Sequence, residues 1–151
     1  MNIYLASDHA GFELKETIKE FLSKKNYSVE DMGTYSSATA SWVEYGAKAA
    51  EKISEDPDHS RGIIVCGSGI GMCMVANKFK GVRAAVCTDE YSAEMSRKHN
   101  DANVLNLGAR VTAKERALRI VDVWLNTPFE GERHRERLEY LSSKIEKNNF
   151  K

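Results

Sequence analysis

The chain has 151 residues, 42% hydrophobic and 29% charged, with 22 lysines and arginines balanced by 22 aspartates and glutamates. That length suits a single domain, 1–151, with a sizeable core; the composition excludes a disordered or fibrous chain, and zero net charge lacks the basic excess of a duplex-DNA binder. No apolar run is long enough for a bilayer, the start Met1-Asn2-Ile3-Tyr4-Leu5 is unlike a signal peptide, and Cys66, Cys73 and Cys87 lack CxxC spacing, so no disulfide framework or zinc cluster is expected and a reducing cytoplasm is.

Short apolar runs alternate with amphipathic stretches. Residues 3–6 read as a first strand, and Leu14, Ile18, Phe21 and Leu22 recur behind it at helical spacing. Residues 27–32 suit a second strand. Ser41 and Glu44 have the spacing of a capping box, opening a helix with Val43, Ala47, Ala50 and Ile53 on one face. Asp56-Pro57-Asp58 breaks that helix. Residues 62–66 are apolar at nearly every position, as in a strand covered on both faces. A glycine-rich loop follows, then a helix to about residue 78. Residues 83–87 are the next strand, with Thr88 placed to cap a helix bearing Tyr91 and Met95. Residues 104–107 form a short fifth strand. Thr112 and Glu115 repeat the capping-box spacing before a helix with Leu118, Val121, Trp124 and Leu125 inward. Pro128 and Gly131 precede a last, highly charged helix with Leu138, Leu141 and Ile145, which is suited to packing against a second subunit.

This alternation predicts an α/β fold: a Rossmann-like three-layer sandwich with a five-stranded, mostly parallel sheet and an extended C-terminal helix. In such sheets ligands bind beyond the carboxyl ends of the strands. Asp8-His9, Cys66 with its loop, and Gly108-Ala109-Arg110 all follow strands.

In Cys66-Gly67-Ser68-Gly69-Ile70-Gly71 the glycines allow close backbone approach, and amides at a helix start favour an anion. A cysteine there can act as base or nucleophile. The same run also reads as a plain strand-to-helix turn with a buried thiol. Asp8-His9 can shuttle protons or simply cap the first helix. His99, near Asn100 at a helix end, is suited to catalysis or to satisfying terminal carbonyls. Arg133 and Arg137, four residues apart, can clamp a phosphate or line a solvated face, with Arg110 as a third cation. There is no Walker A, GxGxxG or Gly-x-Ser-x-Gly motif. The four histidines, His9, His59, His99 and His134, form no close pair at ligand spacing, so no metal site is expected.

Taken in order, these pieces resemble the type B ribose-5-phosphate isomerases and the related galactose-6-phosphate isomerases. The resemblance rests on Ser7-Asp8-His9-Ala10-Gly11-Phe12, Asp31-Met32-Gly33-Thr34, the Cys66 to Gly71 run and Ala76-Asn77-Lys78. It continues through Ser96-Arg97-Lys98-His99-Asn100-Asp101-Ala102-Asn103, Leu107-Gly108-Ala109-Arg110 and the run from Phe129 to Arg137.

The resemblance implies an aldose–ketose isomerase of ribose 5-phosphate and ribulose 5-phosphate that needs no cofactor or metal. It implies a homodimer, paired in some members into a tetramer, with active sites at the dimer interface. Cys66 would be the base and Ser68 its neighbour at the reacting oxygens. Amides of Gly67, Gly69, Ile70 and Gly71 would stabilise the enediolate. Asp8 and His99 would open the sugar ring, with His99 and Asn100 coming from the neighbouring subunit. His9, Arg110, Arg133 and Arg137 would bind phosphate. Some members carry a glutamate where this chain has Met72, and many have Tyr-Pro where it has Trp42-Val43. The second departure leaves a six-carbon sugar phosphate as an alternative substrate, with Tyr45 as a further pocket residue. A non-catalytic domain that binds a phosphorylated metabolite is the alternative from another class.

Overall fold

The computed structural model describes residues 1–146. Five strands form one parallel sheet: β1 (Asn2–Ser7), β2 (Ser28–Asp31), β3 (Ser60–Cys66), β4 (Ala84–Val86) and β5 (Val104–Gly108), in the order β2-β1-β3-β5-β4. The helices are α1 (Phe12–Lys24), α2 (Trp42–Glu55), α3 (Ile70–Ala76), α4 (Glu90–Lys98), α5 (Lys114–Asn126) and α6 (Arg133–Tyr140). A π-helical turn, Leu141–Glu146, continues α6. The expected sandwich is present, and the sheet is parallel throughout. The C-terminal helix extends as expected to 146, and any continuation lies outside the described residues.

Two cores flank the sheet. Ile18 and Leu22 of α1, Ala93 of α4, and Ile120, Val121 and Trp124 of α5 pack one face with Leu5, Ile63 and Leu105. Ala49, Ala50 and Ile53 of α2 and Met72 and Ala76 of α3 pack the other with Ala6 and Ile64. Central strands buried on both faces explain the unbroken apolar run in β3. Among the described residues, no helix is long and apolar enough to cross a membrane.

Several local expectations change. The buried face of α2 is Gly46, Ala49, Ala50 and Ile53, and Val43 is exposed. Ser41 does cap α2, its Oγ accepting the Glu44 N–H at 3.3 Å. Thr88 does not cap α4. Asp89 does, through a reciprocal capping box with Ser92 whose carboxylate bond is 2.7 Å, because an aspartate accepts the orphan N–H of the first turn well. Thr112 does not cap α5, which Ala113 precedes without a side-chain bond. The Thr112 hydroxyl is buried instead. Tyr91 of α4 is exposed, as are Leu141 and Ile145 near the C-terminus.

Candidate active site

The strand order reverses direction between β1 and β3, the position where an open parallel sheet leaves a crevice at its carboxyl edge. Register pairs Ser7 with Val65, so the next residues, Asp8 and Cys66, emerge side by side. The Asp8 N–H donates to the Val65 carbonyl at 3.3 Å. On the other flank, Cys66 pairs with Gly108, and the Arg110 N–H donates to the Gly67 carbonyl at 3.0 Å. Three strand ends thus bring Asp8, Cys66, Ser68 and Arg110 to one cavity of about 360 Å³, with Gly67, Gly71 and Trp42 also in its wall.

Cys66 is 5% exposed, and its Sγ accepts the Gly69 N–H at 3.1 Å. Gly69 holds that amide in place with a φ of +83°, a left-handed turn that suits glycine, and a Cβ there would press on the backbone of Leu107. Burial pushes both Cys73 and Cys87 up from the ordinary thiol value. Ser68 is exposed at the mouth, its Oγ accepting the Ile70 N–H at 3.2 Å. The Gly69 and Ile70 amides are therefore engaged within the loop.

Asp8 is buried, and its Oδ1 accepts the Gly11 N–H at 3.0 Å. It closes the turn before α1, whose N-cap Gly11 has no side-chain cap, and lines the cavity at once, so the helix-capping reading gives way to a turn that positions the carboxylate. A side chain on Gly11 would collide with the Val65 carbonyl, which is why the chain crosses β3 there on a glycine. The His9 Nδ1 meets the Ala40 backbone at 3.2–3.3 Å, leaving Nε2 clear of that contact.

Trp42 lies against Gly71 and walls the cavity, whereas Val43 is exposed and outside it. Tyr45 is not in the wall either; its ring packs beside Gly33 and under the Lys48 ammonium at 4.5 Å. Met72 is wholly buried in the α2–α3 core.

The remaining expected residues lie elsewhere. His99 ends α4, whose chain then returns to the amino end of β5. The Asn103 carbonyl accepts from Gly62 there, four strand steps and thus about 13 Å from the Cys66–Gly108 pair. Arg133 and Arg137 are exposed on α6, which docks to this end through a Glu130 N–H bond to the Lys98 carbonyl of 3.1 Å. So one chain joins Asp8, His9, Cys66, the glycine loop and Arg110 at one edge. It holds His99, Asn100, Arg133 and Arg137 at the other. A larger cavity of about 500 Å³ lies at this second edge, between β4 and the C-terminal turn, with Asn100, Arg83, Leu138 and Leu141 in its wall.

Sequence reasoning missed His134. It is 5% exposed and stacks on His99 with ring centroids 4.4 Å apart. Burial lowers its imidazole from the ordinary value, and His99, Arg133 and Arg137 push the same way against Glu130. The two rings are far apart in sequence, so spacing carries no sign of the pair; the fold makes it.

A family model described as Ribose/Galactose Isomerase matches residues 3–141. The chain belongs to this family. Within it, the chain is 41% identical to ribose-5-phosphate isomerase B of Escherichia coli (strain K12), over 97% of this chain and 98% of that protein. A solved structure of ribose-5-phosphate isomerase B from Clostridium thermocellum superposes with a TM-score of 0.94 at 46% identity, covering 98% of this chain and 99% of that one. The enzyme from Mycoplasma genitalium, solved with bound ribulose 5-phosphate, gives 0.91 at 40% identity over 93% of each chain.

Proposed function

We propose that this chain is an aldose–ketose isomerase interconverting ribose 5-phosphate and ribulose 5-phosphate, with Cys66 as the base. The observation that carries this reading is the thiol itself. Cys66 sits at the carboxyl end of a central strand, in a cavity with Asp8 and Arg110, with an amide directed at its sulfur. Membership of the ribose/galactose isomerase family over nearly the whole length supports it.

The reaction begins with ring opening, which needs an acid and a base. Asp8 supplies one group and His99 of a second copy the other. Cys66 then removes the proton from C2 and returns it to C1. The negative charge built on the enediolate oxygen needs preorganised donors. Gly69 is committed to the sulfur and Ile70 to Ser68. Gly71 lines the cavity in the first turn of α3, where an amide has no intrahelical partner, and is the loop donor left to face the oxygen. Arg110 and His9 hold the phosphate from this chain. Arg133 and Arg137 share an edge with His99 and Asn100, so a partner that delivers one pair delivers the other. The working unit is therefore a homodimer with shared sites, each chain one domain, and a free Cys66 thiol fits a cytoplasmic setting.

The test is turnover by the purified chain on a panel of phosphorylated sugars with a chelator present. Chelator-insensitive conversion of ribose 5-phosphate is expected. A six-carbon phosphate is the second reading, favoured by Trp42 in the cavity wall and by a family description that names galactose. Turnover of only such a sugar would move the substrate assignment while keeping the base. No turnover on any sugar would favour a phosphometabolite-binding domain.

A further inference from the structure

We propose that His99, Glu130 and His134 form a binding site for a divalent transition-metal ion, with zinc the best match, and that occupancy switches the isomerase off by sequestering His99. The inhibitory half rests on the function proposed above; the binding half does not.

The three side chains offer two imidazoles and one carboxylate with donor atoms all within 4.8 Å of one another. Glu130 Oε2 stands 3.6 Å from His134 Nε2 and 4.0 Å from His99 Nε2. A tetrahedral zinc with bonds of about 2.0–2.1 Å places its ligand atoms roughly 3.3 Å apart. The carboxylate, at 3.6 Å, is close to ligand spacing from His134 and, at 4.0 Å from His99, must draw in by roughly 0.7 Å to reach it there. His134 supplies the independent sign of a ligand. It is 95% buried by its 5% exposure, and its Nε2 is buried without a hydrogen-bond partner among the described residues while turned toward the carboxylate. A buried ring nitrogen left that way costs free energy, and a metal ion would satisfy it.

The backbone under the site is fixed. The Glu130 N–H donates to Lys98 at 3.1 Å and the His134 N–H to Gly131 at 3.0 Å. The rings now lie 15° from parallel, so closing on one ion requires them to splay. His99 is the ring free to turn, with its side chain 38% exposed at the end of α4. Two nitrogens and one oxygen suit zinc, copper or nickel rather than magnesium or calcium, which prefer all-oxygen shells. Arg133, Arg137 and Lys98 oppose any cation here, so affinity must come from the ligand set and not from a general negative field. With three protein ligands, a fourth position stays open to water. Metal-bound through Nε2, His99 has no free lone pair to take a proton and its Nε2 is closed to the sugar ring.

The experiment uses the full chain, stripped with chelator, titrated with zinc against a chromogenic competitor, with magnesium as control. One zinc per chain and no competition from magnesium are expected. His134→Ala and the milder, surface Glu130→Gln should each weaken zinc binding by about tenfold or more, since even outer-shell partners of a metal ligand are worth that much. Zinc inhibition of ribose 5-phosphate turnover, scored against each variant's own zinc-free rate, should weaken in parallel and reverse with chelator. Equal zinc affinity in all three chains would overturn the site. So would a thiolate-to-cobalt charge-transfer band on cobalt substitution, which would give the ion to a cysteine. Zinc bound at these residues without inhibition would overturn the regulatory half. A chain with no isomerase activity would refute the proposed function instead, and the titration would still decide the site.

Discussion

At Cys66 the thiol, its amide donor and the substrate space are set by three successive choices of residue. The strand delivers sulfur to the crevice, Gly69 turns back to meet it, and the Arg110 side chain lies beside Gly67. The strand-end residues were legible in the sequence because position along an α/β pattern and side-chain chemistry coincide there. Thr112 was misread because spacing identifies a capping box without saying which neighbour turns inward, and Thr88 because the adjacent Asp89 takes the cap. His134 was invisible because its partner is 35 positions away. The arginines make a residue-level prediction. Arg137→Ala should raise KM for the sugar phosphate by about ten- to a hundredfold, the worth of one charge-assisted hydrogen bond, with a smaller change in kcat. Steady-state kinetics check this, and an unphosphorylated sugar turned over as well as ribose 5-phosphate would contradict the role.

Among the elements, the α3 entry and the α1–β2 corner carry the most consequence. Gly69→Ala puts a Cβ at positive φ, which costs about 1–2 kcal/mol, and moves the amide that faces Cys66. A lowered melting temperature together with a kcat loss larger than the KM change is expected. At the corner, Lys15 is fully buried, yet its ammonium meets Asp31 at 2.5 Å, and Lys19 meets the same carboxylate at 2.7 Å. Burial pushes the Asp31 carboxyl up, but the two lysines and the Gly33 amide outweigh it and hold it below the ordinary range. A lowered folded-state value means stability that is fully present above the unfolded pKa of about 4 and lost as pH falls through the folded value. Asp31→Asn should therefore unfold more easily at neutral pH and show a flatter loss of stability below about pH 4, read from thermal melts across pH. The strands themselves were plain in the sequence from their apolar runs, to within one or two residues at each end. The α2 face was not, because Gly46 and Ala49 bury through smallness, and a hydrophobic pattern gives such residues little weight.

For the whole molecule, the single chain is divided. Its thiol edge and its His99–arginine edge lie at opposite ends of the sheet. The sequence could list both sets but not their separation, which depends on α4 running back across the sheet before β5. In the homodimer proposed above, a second copy brings one edge to the other. Cys66→Ala and His99→Asn chains, each inactive alone, should on mixing and reassembly recover about a quarter of the parent activity, because half the dimers are mixed and each of those has one intact site. No recovery after verified subunit exchange would place both groups in one chain. The central claim, that Cys66 moves the proton, is tested most directly by single-turnover conversion of ribose 5-phosphate by the parent and by Cys66→Ala, with ribulose 5-phosphate binding measured alongside. A rate lower by about a hundred- to ten-thousandfold with binding retained is the result predicted for loss of a general base; parent-level turnover in Cys66→Ala would contradict it.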